Sequence, residues 1–205
     1  DKDFKPAEFM HFCNRMMRKE PKETGKAPCM IVFCEFEQQF LLINLAKQYG
    51  INNYINLVFR KNFSAQVLKA NMRIVGNAEY ALLLYRDKLP KFNNDGKMVF
   101  NVMDWEKGKE RKIHPTQKPL GLLRRLISIF TDEGDVVIDP VAGSGSTLVA
   151  AIEMGRRAYG FEIKKDYYKA ASGWIEQAKA QQSLFVPHGN RRAEQTGMVF
   201  DEVAT

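Results

Sequence analysis

The stretch Val136-Val137-Ile138-Asp139-Pro140-Val141-Ala142-Gly143-Ser144-Gly145-Ser146-Thr147 decides the fold. Three apolar strand formers end in an acid, two glycines follow with one small residue between them, and a helix opens at Ser146 or Thr147. This is a strand, tight turn and helix in which the backbone can come close to a ligand, because glycine carries no side chain. Asp139, at the strand end, is expected to face whatever sits over the turn. Fifteen residues after Thr147, the apolar segment Ala158-Tyr159-Gly160-Phe161 ends in a second acid, Glu162. A carboxylate closing the next strand is placed to take both hydroxyls of a ribose. Together these features predict a nucleoside-cofactor site.

Which nucleoside follows from what is missing. A dinucleotide fingerprint needs a third glycine where this chain has Leu148, and a P-loop needs a lysine that is absent between Asp139 and Thr147. An acid beside the glycines repels a pyrophosphate but suits a cationic ligand. S-adenosylmethionine has the required parts: ribose, adenine, sulfonium and an amino-acid ammonium. The competing reading of the glycine pair is a plain strand-to-helix turn with small residues for close packing, and the spacing to Glu162 argues against it.

Upstream stands His114-Pro115-Thr116-Gln117-Lys118-Pro119-Leu120, about 20 residues before Asp139. That pairing resembles the amino-group DNA methyltransferases of the beta arrangement, in which the catalytic half precedes the cofactor half. Phe59-Arg60-Lys61-Asn62 is similar to the family's aromatic-x-Lys-x-Asn element, although the asparagine here directly follows the lysine. Glu79-Tyr80-Ala81-Leu82-Leu83-Leu84-Tyr85 is similar to its next, Glu-rooted strand. The resemblance runs from roughly residue 5 to residue 180. It implies a doubly wound, mostly parallel α/β sheet of the S-adenosylmethionine-dependent, Rossmann-like type. It implies that Asp139, Pro140, Ala142, Gly143, Ser144, Gly145, Ser146 and Thr147 cradle S-adenosylmethionine. Glu162, with Ile163 beside it, would hold the ribose, and Thr116, Gln117 and Lys118 would lie against the methionine end.

One departure stands out. The family's catalytic tetrapeptide, Asp-Pro-Pro-Tyr or Ser-Pro-Pro-Trp, is expected upstream of residue 30, yet no Pro-Pro pair occurs in the 205 residues. The chain is expected to start downstream of that loop; the alternative is a relative that binds without catalysing. No residue here is therefore named as catalytic, and Lys61 and Asn62 are candidates only for lining the active site, against the alternative of a strand-end surface pair. The implied reaction is methylation of a flipped base's amino group in double-stranded DNA, adenine first. Cytosine, RNA or a small molecule are the alternative substrates.

Composition bounds the remainder. At 205 residues with 45% apolar content the chain suits one folded domain and excludes a disordered one. That domain is expected over residues 1–180, with a small target-recognition element at 88–112 and a loosely held tail at 181–205. Cys13, Cys29 and Cys34 read as reduced thiols of a cytoplasmic protein, and with scattered His11, His114 and His188 they suggest no metal. No apolar run suggests a membrane span. A homodimer is compatible with all of this.

The net charge of +7 favours a polyanion. Between residues 56 and 91 seven cations (Arg60, Lys61, Lys69, Arg73, Arg86, Lys88 and Lys91) stand against Glu79 and Asp87, an excess of 7 − 2 = +5. Arg60, Lys61, Lys69, Arg73 and Lys91 are the candidate DNA contacts, against the alternative of a solvated surface. In the 88–112 element Phe92, Phe100 and Trp105 lie among lysines, suited to stacking or to a hairpin core. Hydrophobic periodicity predicts helices at 6–18, 38–49, 120–130, 146–154 and 165–180, and strands at 29–36, 54–60, 79–86, 135–139 and 157–162. The strands at 54–60 and 79–86, with no long helix between them, are expected to form an antiparallel pair.

Overall fold

The computed structural model describes residues 4–62, 66–106, 108, 112–185 and 197–199. The chain divides into two compact units, Asp1–Lys107 and Gly108–Thr205.

In the first unit, Pro6 opens helix α1 (Pro6–Met16), where its missing N–H costs nothing. Strand β1 (Met30–Cys34), helix α2 (Gln38–Gln48) and strand β2 (Asn53–Lys61) follow. Gly50, at φ +71°, ends the α2 turn in the left-handed conformation that glycine tolerates. Next come a short hairpin of β3 (Gln66–Lys69) and β4 (Ile74–Gly76), then β5 (Ala78–Tyr85) and β6 (Val102–Trp105). The main sheet runs β1-β5-β2-β6. β5 lies antiparallel to β1 and β2, whereas β2 and β6 are parallel, so three of the four strands share one direction. The expected antiparallel pair is present, with Phe59 opposite Glu79.

β5 explains why this strand is so apolar. Ala81, Leu82, Leu83 and Leu84 are all buried, as in a strand covered on both faces. Leu82 and Leu84 pack with Met10 of α1 and Leu42 and Ala46 of α2. Elsewhere in the unit, the ring of Phe59 stacks on Phe33 at 5.2 Å and meets Trp105 edge-on at 6.3 Å. β6 thus takes Val102–Trp105 out of the expected target-recognition element and into the sheet, and Trp105 is core, whereas Phe92 and Phe100 are exposed.

The second unit contains α3 (Leu120–Phe130), β7 (Val136–Asp139), α4 (Ser146–Glu153), β8 (Arg157–Phe161), α5 (Lys165–Phe185) and β9 (Gly197–Val199). Its sheet is parallel throughout, in the order β7-β8-β9. Leu123 and Ile127 of α3, Leu148, Val149 and Ile152 of α4, Ala158 of β8 and Ile175 of α5 share one core. Arg124 on α3 pairs with Glu153 on α4 at 2.6 Å. Two details differ from expectation. α5 continues to Phe185, and Gly197–Val199, inside the segment expected to be loose, pairs with β8 because that strand's outer edge offers unpaired backbone groups.

Gly160 lies where the packing is tightest: a Cβ there would stand 2.5 Å from Leu148 Cδ1 and 3.1 Å from the Cβ of Ala142. Gly160→Ala should lower stability by about 1–3 kcal/mol, visible as a reduced midpoint in thermal unfolding.

Candidate functional site

The site grows from the register of β7 and β8. Asp139 pairs with Gly160, so the two strands end side by side and Glu162 emerges next to the turn that follows Asp139. The turn is held by backbone bonds: Ala142 N–H donates to Phe161 O at 2.9 Å and Gly145 N–H to Ala142 O at 2.8 Å. Its two glycines serve different needs. Gly143 has φ +53°, and the atoms nearest to where its Cβ would be belong to the His114 ring, at 3.7 Å. Gly145 has φ +76° and also packs tightly, since a Cβ there would approach the Cβ of Ala171 to 3.0 Å. Ala142, Ser144 and Ser146 are buried; Pro140, Gly143 and Thr147 are half-buried. No side chain caps α4 at Gly145, so the positive end of the helix dipole stands at this turn.

The two acids are spent differently. Glu162 accepts Gly143 N–H on Oε2 at 2.9 Å and Lys164 N–H on Oε1 at 2.8 Å. Asp139 accepts Val141 N–H on Oδ1 at 3.1 Å and also a hydrogen bond from the Thr147 side chain. Burial pushes the Asp139 carboxyl up; those two bonds pull it down, and the Glu162 charge pushes it further up, for a net rise. Asp139 therefore braces the turn from within, rather than only facing what lies above it.

The loop at 113–118 is also braced by its own side chains. Gln117 Oε1 accepts Ile113 N–H at 2.8 Å and His114 N–H at 3.4 Å, while Gln117 N–H returns to His114 O at 3.1 Å. Thr116 bonds the His114 ring through both its N–H and its hydroxyl. Lys118 is half-buried, and Ile163 is exposed beside Glu162. The second unit thus brings the glycine turn, Glu162 and the 113–118 loop to one place, with the His114 ring beside Gly143.

The candidates in the first unit behave otherwise. Lys61 is not a surface residue: its side chain is 9% exposed, its Nζ pairs with Glu79 at 2.5 Å, and it lies 5.2 Å from the centre of the Trp105 ring. Arg60 pairs with Asp104 at 2.8 Å in the open. Arg86 donates to Asn14 Oδ1 at 2.9 Å, and Lys88 Nζ to Pro21 O at 2.7 Å. At least four of the seven cations between residues 56 and 91 are therefore engaged within the protein, and the local charge excess overstates what can reach a phosphate. Arg73 is exposed at the hairpin turn with φ +55°, Asn62 is exposed after β2, and Lys91 is half-buried. The Lys69 side chain lies outside the described residues.

Sequence reasoning overlooked Tyr167, Asp104 and the pairing role of Glu79, and quoted His114 only as part of its motif, with no role of its own. The strand registers bring Arg60 opposite Asp104 and Lys61 near Glu79, whereas His114 and Tyr167 meet between a loop and α5. Among the described residues no group of three or more His, Cys, Asp or Glu is placed to hold a metal ion. Burial pushes the Cys29 thiol up to about 12 and the Cys34 thiol to about 11, so neither is a ready nucleophile. No helix among the described residues is long and apolar enough to cross a membrane.

Residues 1–173 match the N6/N4 methyltransferase family model, described as DNA methylase. The chain is 31% identical over 182 residues to the Escherichia coli K12 protein YubD, covering 85% of this chain and 75% of that one. It is 35% identical over 138 residues to the DNA adenine methyltransferase YhdJ of the same organism, spanning 65% of this chain but only 42% of YhdJ. The solved structure of the M1.HpyAVI–SAM complex superposes with a TM-score of 0.66 at 26% identity, covering 83% of each chain.

Glu79→Ala should leave the Lys61 ammonium without its carboxylate in a nearly closed setting. The expected cost is about 1–3 kcal/mol of stability in denaturant unfolding. A change below a few tenths would show that the pair is not structural.

Proposed function

The chain belongs to the N6/N4 DNA methylase family, and from that premise we propose that it methylates the exocyclic amino group of a base in double-stranded DNA, adenine first. The observation that carries this reading is the Glu162 carboxylate held at the Gly143 turn, in a chain matched by the family over residues 1–173. The adenine preference is supported by the name of YhdJ.

The residues fit S-adenosylmethionine. Each Glu162 oxygen accepts one backbone N–H and keeps a second lone pair, enough to take the two hydroxyls of a ribose. Asp139 and Glu162 give the turn the negative character that a sulfonium and an ammonium favour, and no lysine in the turn opposes them. The bound cofactor supplies a methyl group already activated on a positively charged sulfur.

The protein's own task is then positional. Gly143 and Gly145 set the backbone of the turn, Glu162 fixes the ribose, and the 113–118 loop borders the same place. Holding donor and acceptor at attack distance removes much of the entropic barrier to transfer. The base must leave the helical stack to be reached. Of the candidate cations, Arg73, exposed at its hairpin turn, is offered for a phosphate contact, whereas Arg60 is exposed but already paired with Asp104. Lys61 acts on the substrate side only indirectly, by holding the end of β2 that carries Asn62. We place the protein in the cytoplasm, acting without a metal and compatible with a homodimer.

Incubation with methyl-labelled S-adenosylmethionine and unmethylated duplex DNA, followed by digestion to nucleosides, should put label on the adenine amino group. Label on the cytosine amino group would change the base, and cofactor binding without DNA labelling would overturn the activity. Glu162→Ala should weaken S-adenosylmethionine binding by about 1.5–3 kcal/mol, roughly 10- to 150-fold in titration calorimetry, as charge-assisted bonds to the ribose are lost.

A further inference from the structure

We infer that His114 is a positioning residue for the cofactor site: its neutral imidazole joins the 113–118 loop to the glycine turn, with Nδ1 serving as a hydrogen-bond acceptor. The inference rests on the functional reading above for its consequence, but its geometry stands independently.

Three contacts converge on this ring. Thr116 N–H donates to His114 Nδ1 at 3.2 Å, and the Thr116 hydroxyl lies 3.0 Å from the same nitrogen. The ring lies 3.7 Å from the position a Gly143 Cβ would occupy, so it stands beside the turn whose Gly143 N–H holds Glu162. The Tyr167 ring of α5 meets the imidazole edge-on at 4.4 Å between centroids. One side chain therefore bonds within the loop, meets the helix after Glu162 and borders the turn.

The protonation state follows from donor chemistry. A backbone N–H can only donate, so Nδ1 must carry a lone pair and the neutral ring must carry its proton on Nε2. A proton added at Nδ1 would face the Thr116 N–H, donor against donor, and break the link. The charged and titratable groups around the ring are Glu162, Lys164, Lys112 and Lys118, with Tyr167 packed on it. Burial lowers the pKa of His114; Glu162 opposes this, and Lys164, Lys112 and Lys118 reinforce it. The sign is that of a group favoured neutral in the folded state. The link is complete above the ordinary histidine range and is lost as pH falls through the lowered value.

Titration calorimetry of S-adenosylmethionine binding across pH, on wild type, His114→Ala and His114→Asn, tests this. Asn can present its side-chain oxygen near the Nδ1 position but does not titrate. His114→Ala should lose about tenfold or more in affinity, His114→Asn should recover most of it, and His114→Asn should lack the low-pH decline of wild type. Equal losses in both variants, or the same decline in wild type and His114→Asn, would overturn the inference; the second result would assign the decline to another group such as Asp139. Imidazole nitrogen NMR on the wild-type protein needs no cofactor. A proton on Nε2 with an acceptor Nδ1 is expected, and a neutral ring protonated on Nδ1 would overturn the inference even if S-adenosylmethionine binds. If wild type binds no S-adenosylmethionine while the NMR result holds, the functional reading fails and the bracing role of His114 stands.

Discussion

The Glu162 carboxylate accepts N–H groups from two directions, Gly143 at 2.9 Å and Lys164 at 2.8 Å, and the site depends on that clasp. It ties the turn after β7 to the chain leaving β8, so the acid and the glycine loop form one rigid element. A carboxylate held this way is already oriented before any ligand arrives, and little conformational entropy remains to be lost on binding. Asp139 does the same work from beneath, through Val141 and Thr147, in a setting that raises its own pKa. The two acids divide the labour: one shapes the turn, the other holds it and keeps lone pairs to offer.

The first unit follows a different economy. A positive composition between residues 56 and 91 looks like a phosphate-binding face until its partners are known. Arg60, Lys61, Arg86 and Lys88 are each engaged by a carboxylate, a side-chain amide or carbonyl oxygens. Arg86 and Lys88 tie the end of β5 to α1 and to the chain that follows it. Long cationic side chains there act as structural ties, with their charges satisfied at home. Arg73 stands apart at an exposed turn with positive φ, in a hairpin outside the main sheet.

Much of this was legible in the sequence, for identifiable reasons. α3 matches its periodicity over Leu120–Phe130 because Leu122, Leu123, Leu126, Ile127 and Phe130 are all buried, a pattern with one solution. The β7 turn and Glu162 were readable because glycine and acid at that spacing carry steric and chemical meaning by themselves. β6 was not, since Val102–Trp105 is four residues with polar neighbours and gains strand structure only from pairing with β2. The ion pair of Lys61 was not legible for the same reason: its partner Glu79 is 18 positions away and comes alongside only through the antiparallel register of β2 and β5. His114 was quoted with its motif but given no role, because Thr116, Gln117 and Lys118 drew attention as ligand contacts. The structure shows Thr116 and Gln117 bonded to His114 within the loop.

Photocrosslinking of methyl-labelled S-adenosylmethionine to the protein, followed by peptide mapping, tests the central claim most directly. Label confined to peptides containing residues 112–118 or 139–163, and displaced by excess S-adenosylhomocysteine, is the predicted result. Displaceable label concentrated in residues 1–107 would place the cofactor elsewhere and contradict the account.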